Sequence, residues 1–437
     1  MANCTAKRIE FERLKRRRIE AEFSGGDVSS DGGVLLVRRL DRRLGLLEAV
    51  ARALADPRDP ERIKHELIDL LRQRVFGLVQ GYEDLNDHTG LRNDPLMQTA
   101  CERQTALASA PTLCRLENRA TRAAAWAIHR VMVEKFIAGF ERAPEELVLD
   151  FDATDDPLYG KQEERFFHGY YDSYCYLPLY VFCGEQLLVS YLRPSKIDEA
   201  KHAWAVLALL VKRLRRAWPG VRIIVRGDSG FCRRKMLAWC ERNQVGYVVG
   251  LAKNSRLNAI TAAQRQRLAR RFARTQVKQR EFAEFHYAAR TWHIERRVIA
   301  RLEHMDKGDN PRYIVTNLEG EARTLYEELY CARGEMENRI KEAQLGLFAD
   351  RTSCHYFAAN QFRLLLSSLA YILTERLRAL ALSGTEFARL QASTLRAKLL
   401  KIGAVILRNT RRVRVLLSSA FPHQAIFLAA ARALDSP

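Results

Sequence analysis

The chain has 437 residues, 47% of them hydrophobic and 28% charged. At roughly 150 residues per domain this allows two to four domains with sizeable cores, and it excludes a wholly disordered or low-complexity protein. Lys plus Arg number 72 against 52 Asp plus Glu, a net charge of +20, which points to a polyanionic partner.

In chain order, 1–33 reads as a basic arm, with Lys7, Arg8, Arg13 and the run Lys15, Arg16, Arg17, Arg18 leading into the loop SGGDVSSDGG. Apolar residues at helical spacing predict a helix over 34–55, broken by Asp56 to Pro60, and a second over 61–80. GYEDLNDHTGLRNDP reads as a polar loop and 111–140 as further helix, giving an all-helical segment over 34–140. From Glu145 the pattern changes. LVLDFDATD, RFFHGYYDSY, CYLPLYVFC and EQLLVSYLR are rich in aromatic and β-branched residues, as strands are. A helix over 197–218 ends at the turn Pro219-Gly220; a strand over 221–226, a helix over 233–243 and a strand over 246–250 follow. A meander followed by helix, strand, helix, strand predicts one mixed sheet covered by helices. Residues 253–280 carry nine basic residues and no acidic one. Antiparallel strands are predicted over 281–318, a long helix over 324–347, an apolar helix over 356–382, and a hairpin over 401–417 turning at Asn409-Thr410.

No apolar run approaches the ~18 residues of a membrane span, and the opening MANCTAKRIEFERLKRRR lacks a secretory signal's apolar stretch. The nine cysteines form no CxxC pair and no zinc-finger spacing. Reduced core-filling thiols in a cytoplasmic protein, with no zinc site and no membrane, are expected.

Two acidic clusters sit at predicted strand ends: Asp150, Asp152, Asp155 and Asp156 in LVLDFDATDD, and Asp228 in RIIVRGDSGF. Alternation puts Asp150 and Asp152 on one face of their strand. If the two strands are parallel neighbours their carboxylates converge, and a divalent cation resolves the repulsion; oxygen-only ligands favour Mg²⁺ or Mn²⁺. Asp228 equally reads as a helix cap and Asp155 as a turn residue. In YCARGEMENRIKE, Tyr330, Arg333 and Glu337 fall on one helical face, whereas Glu335 lies about 200° and Glu342 about 140° from Glu337.

These stretches, with SSDGGVLLVRRLDRRLGL, GYEDLNDHTGLRNDP, YYDSYCYLPLYVF and LLKIGAVILRNTRRVRVLLSSAFP, resemble the DDE transposases of insertion sequences, most closely the IS1380 family, over nearly the whole chain. The Tyr-x2-Arg-x3-Glu spacing resembles the signature of the wider IS4-like group. That signature continues with Lys seven residues after the Glu; here Gln344 stands there, with Lys341 one turn earlier.

The resemblance implies a mixed α/β (α+β) fold: a ribonuclease-H-like catalytic core over 145–252 and 320–350, interrupted by a basic, β-rich insertion over 253–319. The arm (1–33) and a helical DNA-binding domain (34–140) precede the core, and a helical region with a basic hairpin (351–437) follows. It implies Asp152, Asp228 and Glu337 as catalytic ligands of two Mg²⁺ (or Mn²⁺) ions, with Tyr330, Arg333 and Lys341 on DNA phosphates. Arg411, Arg412 and Arg414 belong to a run expected to grip double-stranded DNA at transposon terminal inverted repeats. The implied activity is cleavage at the element ends and transfer of the freed 3′-hydroxyl into target DNA, by a homodimer in the bacterial cytoplasm at the nucleoid. The alternatives are a nuclease of the same fold without strand transfer, and an inactive or domesticated transposase that only binds DNA.

Overall fold

The structure, a computed structural model, describes residues 8–435; Cys4 and Lys7 lie outside them. It is mixed α/β and divides into two compact units, one formed by residues 1–119, 346–348 and 369–437, the other by 120–345 and 349–368. No helix among the described residues is long and apolar enough to cross a membrane. The cysteines among them are free thiols.

In the first unit the expected arm contains a two-stranded antiparallel hairpin, Ile9–Leu14 with Arg17–Ala21. The helix expected over 34–55 is two helices, Val34–Leu44 and Leu46–Ala53, because Gly45 between them takes the left-handed conformation at φ 56°. The second helix begins at Leu67 rather than at 61. The stretch expected as polar loop holds two short helices, His88–Leu91 and Pro95–Ala100. The second starts because Asp94 accepts hydrogen bonds from the Leu96 and Met97 N–H groups and Pro95 occupies the first turn. Helix 111–140 is also two helices, Ala110–Asn118 and Arg122–Ala138, the second capped by Thr121. That second helix groups with the other unit.

The hairpin Ala404–Arg408 with Val413–Leu417 turns at Asn409, whose Oδ1 accepts from the N–H groups of Arg411 and Arg412. Val28–Ser29 adds a third strand to it. The Gly32-Gly33 pair makes the junction: both N–H groups bond to carbonyls of the 400–402 segment, at 2.9 and 3.0 Å. A Cβ on Gly33 would collide with Leu400, so the close approach requires glycine.

The second unit is built on one sheet. Its elements in chain order are α1 (Arg122–Ala138), β1 (Glu146–Ala153), β2 (Leu179–Cys183), β3 (Gln186–Tyr191), α2 (Ala203–Ala217), β4 (Arg222–Gly227), α3 (Arg234–Arg242), β5 (Gly246–Leu251), α4 (Ala262–Thr275), β6 (Gln279–Tyr287), β7 (Arg296–Met305), β8 (Arg312–Thr316) and α5 (Gly334–Lys341). The spatial order is β6-β7-β8-β5-β4-β1-β2-β3. β4 runs parallel to both β1 and β5; the other neighbours are antiparallel. The segment expected as a β-rich insertion makes no separate sheet: β6, β7 and β8 extend this one past β5. CYLPLYVFC is interrupted at Leu177-Pro178, and Ser173–Tyr176 pairs instead with Phe166–His168 and Asp156–Pro157 in a small sheet.

Alternation along each strand sorts the two faces. Leu147, Leu149, Phe151, Ile223, Val225, Tyr247, Val249, Val298, Ala300 and Leu302 form a core with α1 to α4. On the opposite face Val248, Ile299 and Ile314 pack against Leu325 and Tyr326 of the helical run that carries the candidate site.

The basic stretch 253–280 is less free than its composition suggests. It forms Ser255–Ile260, α4 and the start of β6. Arg267 and Arg271 pair with Glu281, Arg265 with Asp309, and Lys278 and Arg280 with Glu303.

Candidate functional site

β1 and β4 lie side by side with Asp150 opposite Arg226 and Phe151 opposite Gly227. Asp152, the last residue but one of β1, and Asp228, the residue after β4, therefore emerge at the carboxyl ends of adjacent parallel strands. Asp150 and Asp152 share a face, but only Asp152 is available. Asp150 is fully buried and bound by Arg226 through both carboxylate oxygens, with Arg226 Nη2 2.7 Å from Asp150 Oδ2. The remaining Arg226 nitrogen, Nη1, donates to the Leu329 carbonyl at 2.6 Å. One guanidinium thus ties β4 to β1 and to the residue before Tyr330.

Asp152 Oδ1 accepts the Ala153 N–H at 2.9 Å, and Oδ2 lies 3.6 Å from Arg333 Nη1. Burial pushes its carboxyl up to about 7; Arg333 opposes this, while Asp228 and Glu337 reinforce it. Asp228 does act as a cap, accepting the Gly230 N–H at 2.9 Å. A Cβ on Gly230 would meet both Glu199 Oε2 and Asp228 Oδ1, so these two carboxylates flank one glycine. Burial, then Asp228, raises Glu199.

The helix expected over 324–347 is one helical run with changes of pitch: a wide π turn at Leu325–Tyr330, a 3₁₀ turn at Cys331–Arg333, α5, and a second wide turn at Glu342–Gly346. A 3₁₀ turn advances about 120° per residue, so Tyr330 and Arg333 align more closely than on an α-helix. Arg333 Nη2 bonds Glu337 Oε1 at 2.9 Å. Glu335 pairs instead with Arg339 at 3.0 Å and is well exposed. Burial raises the Tyr330 hydroxyl; Arg333 lowers it and Asp228 adds to the rise. A Cβ on Gly250, at the end of β5, would lie 2.8 Å from both Tyr330 Oη and Ser229 N, so only glycine lets β5, the Asp228 turn and Tyr330 meet.

Gln344, in the place of the signature lysine, donates to Asp156 Oδ1 at 2.9 Å and to the Asp155 carbonyl at 3.1 Å. Asp156 is fully buried, and burial raises its carboxyl strongly. Lys341 is exposed. Arg411, Arg412 and Arg414 are exposed on the hairpin of the other unit.

Asp152, Asp228, Tyr330, Arg333 and Glu337 thus interact in the second unit. Among the described residues, no three His, Cys, Asp or Glu side chains stand close enough to share a metal ion. The donor set nevertheless fits a hard divalent cation: three carboxylates that repel one another, one largely buried, offering only oxygen. Arg333 supplies the positive charge between Asp152 and Glu337. Sequence reasoning missed Arg226, Glu199 and the role of Gln344. Arg226 had a signal, an arginine inside an apolar strand; Glu199 had none, since 193–202 has no period.

Among solved structures, the chain is similar to a piggyBac transposase in a synaptic complex with hairpin DNA, at 8% identity and a TM-score of 0.41, covering 94% of this chain and 83% of that one. No curated protein matches. The family described as transposase DDE domain group 1 matches residues 11–436. That match takes in every element of the site, and the chain belongs to this family of DDE transposases.

Proposed function

We propose that the protein is the transposase of an insertion sequence of the IS1380 type, cutting DNA at the element's ends and joining the freed 3′-hydroxyl to target DNA. The observation that carries this reading is the parallel pairing of β1 with β4, which brings Asp152 and Asp228 out at one edge, beside an Arg333 that contacts Asp152 and Glu337. The sheet order β3-β2-β1-β4-β5, with β4 parallel to its neighbours and β2 and β3 antiparallel, supports a ribonuclease-H-like core.

Asp152, Asp228 and Glu337 would hold two Mg²⁺ or Mn²⁺ ions. When bound, such ions supply Lewis acidity to a phosphodiester and lower the pKa of an attacking hydroxyl. The chain's own groups do the positioning. Oδ1 of Asp152 is engaged by Ala153 and Oδ2 faces Arg333 Nη1 at 3.6 Å, so the backbone and the guanidinium together orient this carboxylate. Arg333 can exchange Glu337 for a phosphate, on which a guanidinium forks. Tyr330 is held in place from both sides, by Gly250 and by the Arg226 bond to Leu329. Lys341 and the hairpin residues Arg411, Arg412 and Arg414 are solvent-facing cations suited to backbone contacts along terminal inverted repeats, which two copies of the chain would synapse.

The test is a plasmid bearing the element's terminal repeats, incubated with protein and Mg²⁺. Cleaved ends and joined products are expected from the parent. Glu337→Gln should reduce cleavage by about 10²–10³-fold, on the order expected for losing a group that stabilises the transition state, while DNA binding persists. Glu335→Gln should cut as the parent does. Cleavage without joining would leave a nuclease, and unimpaired cutting by Glu337→Gln would remove Glu337 from the site.

A further inference from the structure

Beside Asp228 lies a cavity of about 520 Å³ that runs from the candidate site, past Tyr330 and Arg333, to basic residues the mechanism above does not use. Lys253, Arg301 and Arg312 line it together with Asp228, Ser229 and Arg333. Its volume falls within the roughly 300–1,000 Å³ range of ligand sites.

Arg301 on β7 and Arg312 on β8 are direct cross-strand partners. Both lie on the sheet face of Ile299 and Ile314, towards the helical run. Like charges directly opposite one another destabilise an antiparallel pair, so the placement calls for an anion. Neither arginine has a good internal one. Arg301 reaches a carboxylate only at 3.5 Å, on Glu303, which Lys278 and Arg280 already hold at 3.0 and 2.7 Å. Arg301 Nε is buried with no hydrogen-bond partner among the described residues. Its guanidinium lies over the Tyr326 ring, 5.1 Å from the centroid, and that ring meets Tyr330 edge-on at 5.4 Å. Arg312 is exposed, its only side-chain hydrogen bond a 3.3 Å contact with Asn310 among the described residues. Lys253 has no ion-pair partner among them.

We propose that this cavity binds one nucleotide of a DNA strand next to the scissile bond, with its phosphodiester forked between Arg301 and Arg312 and screened by Lys253. The proposal rests on the reading of the protein as a DNA transposase. It makes β7 and β8 part of the substrate channel rather than a structural extension of the sheet. The Tyr326 ring under the Arg301 guanidinium helps to orient it towards the phosphate.

The experiment uses the full chain with Arg301→Gln, Arg312→Gln and the double variant, and a labelled oligonucleotide carrying 5-iododeoxyuridine near the cleavage site. The expected results are a loss of affinity of about tenfold in the double variant, a salt slope shallower by about one counterion, and loss of photo-crosslinks to the Tyr326–Tyr330 peptide. At saturating DNA the cleavage rate should hold, so the defect lies in KM rather than in kcat. Because the substitutions relieve opposed charges, the melting temperature should not fall, which separates lost binding from lost folding. Arg312→Lys should recover the salt slope but only part of the affinity.

Inorganic phosphate is the second arm. Competition with the oligonucleotide beyond a chloride control of equal ionic strength is expected in the parent and should be lost in the double variant; phosphate that binds through these arginines without displacing the oligonucleotide shows that the site takes free phosphate only, and the proposal is overturned. Parent-like affinity, slope and crosslinks in the double variant, with cleavage intact, overturn the cavity assignment alone. Failure of the parent to bind DNA at all overturns both readings.

Discussion

Asp150→Asn strips the charge from a carboxylate that is 0% exposed and leaves Arg226, 8% exposed, without its counter-ion. The guanidinium cannot shed its proton, so the whole penalty of an unpaired buried cation falls on the folded state. Breaking such a pair from one side costs about 3–5 kcal/mol, a fifth or more of the roughly 5–15 kcal/mol that holds a domain together. Arg226→Met should cost less, because Asp150 can take up a proton, and burial already raises its pKa. The double variant, with no charge left, should recover about 1–3 kcal/mol relative to the sum of the singles. The assay is urea unfolding followed by tryptophan fluorescence. All five tryptophans, at 126, 204, 218, 239 and 292, lie in the second unit, so the signal reports the right part of the molecule. With m near 3 kcal/mol/M, Asp150→Asn should lower the midpoint by roughly 1–1.7 M. A loss under about 1 kcal/mol, or a double variant worse than the summed singles, would refute the view that this pair is a buried strut.

Two further outcomes follow from other parts of the fold. Gly250→Ala would put a methyl group 2.8 Å from Tyr330 Oη and Ser229 N; it should cost about 1–3 kcal/mol by overpacking and weaken cleavage more than DNA binding. Cleavage assays and melting curves check this, and parent-like cleavage would show that Tyr330 does not need its present seat. In the first unit, His88 is fully buried between Gln73 and Arg74, and burial, then Arg74, lowers its pKa to about 3. The unfolded chain takes up this proton near pH 6.5 and the folded chain refuses it. The stabilisation is therefore complete above pH 6.5 and is lost as pH falls towards 3, by about 2 kcal/mol at pH 5. Hydrogen exchange of the Leu67–Gln80 helix should show that loss, and His88→Asn should flatten it; an unchanged slope in the variant would assign it elsewhere.

The sequence by itself determined the local elements and the types of chemistry available. Period-2 and period-3.6 patterns located β1, β4, β5, α3 and the 357–381 helix to within a few residues, and the end of α2 but not its start at Ala203, because burial of one face writes itself into residue spacing. The Asn409 turn and the stop at Pro219-Gly220 were legible for the same local reason. The boundaries that failed were set by single residues: the left-handed Gly45 and the cap Thr121, which an apolar pattern runs straight across, and the cap Asp94, which starts a helix inside a polar stretch. Tertiary structure alone decided which charges were free. Asp150 and Asp152 are two residues apart on one face, and no sequence rule separates them; the register of β4 does, by setting Arg226 opposite Asp150 and leaving Asp152 to Arg333. The basic run 253–280 has no acidic residue of its own, and only folding brought Glu281, Glu303 and Asp309 against about half of its cations. Arg301 and Arg312, unremarkable in sequence, became neighbours only when β7 and β8 paired in the same sheet as β1 and β4. Long-range strand register carries that information, and it depends on which apolar faces find each other rather than on any residue's local preference.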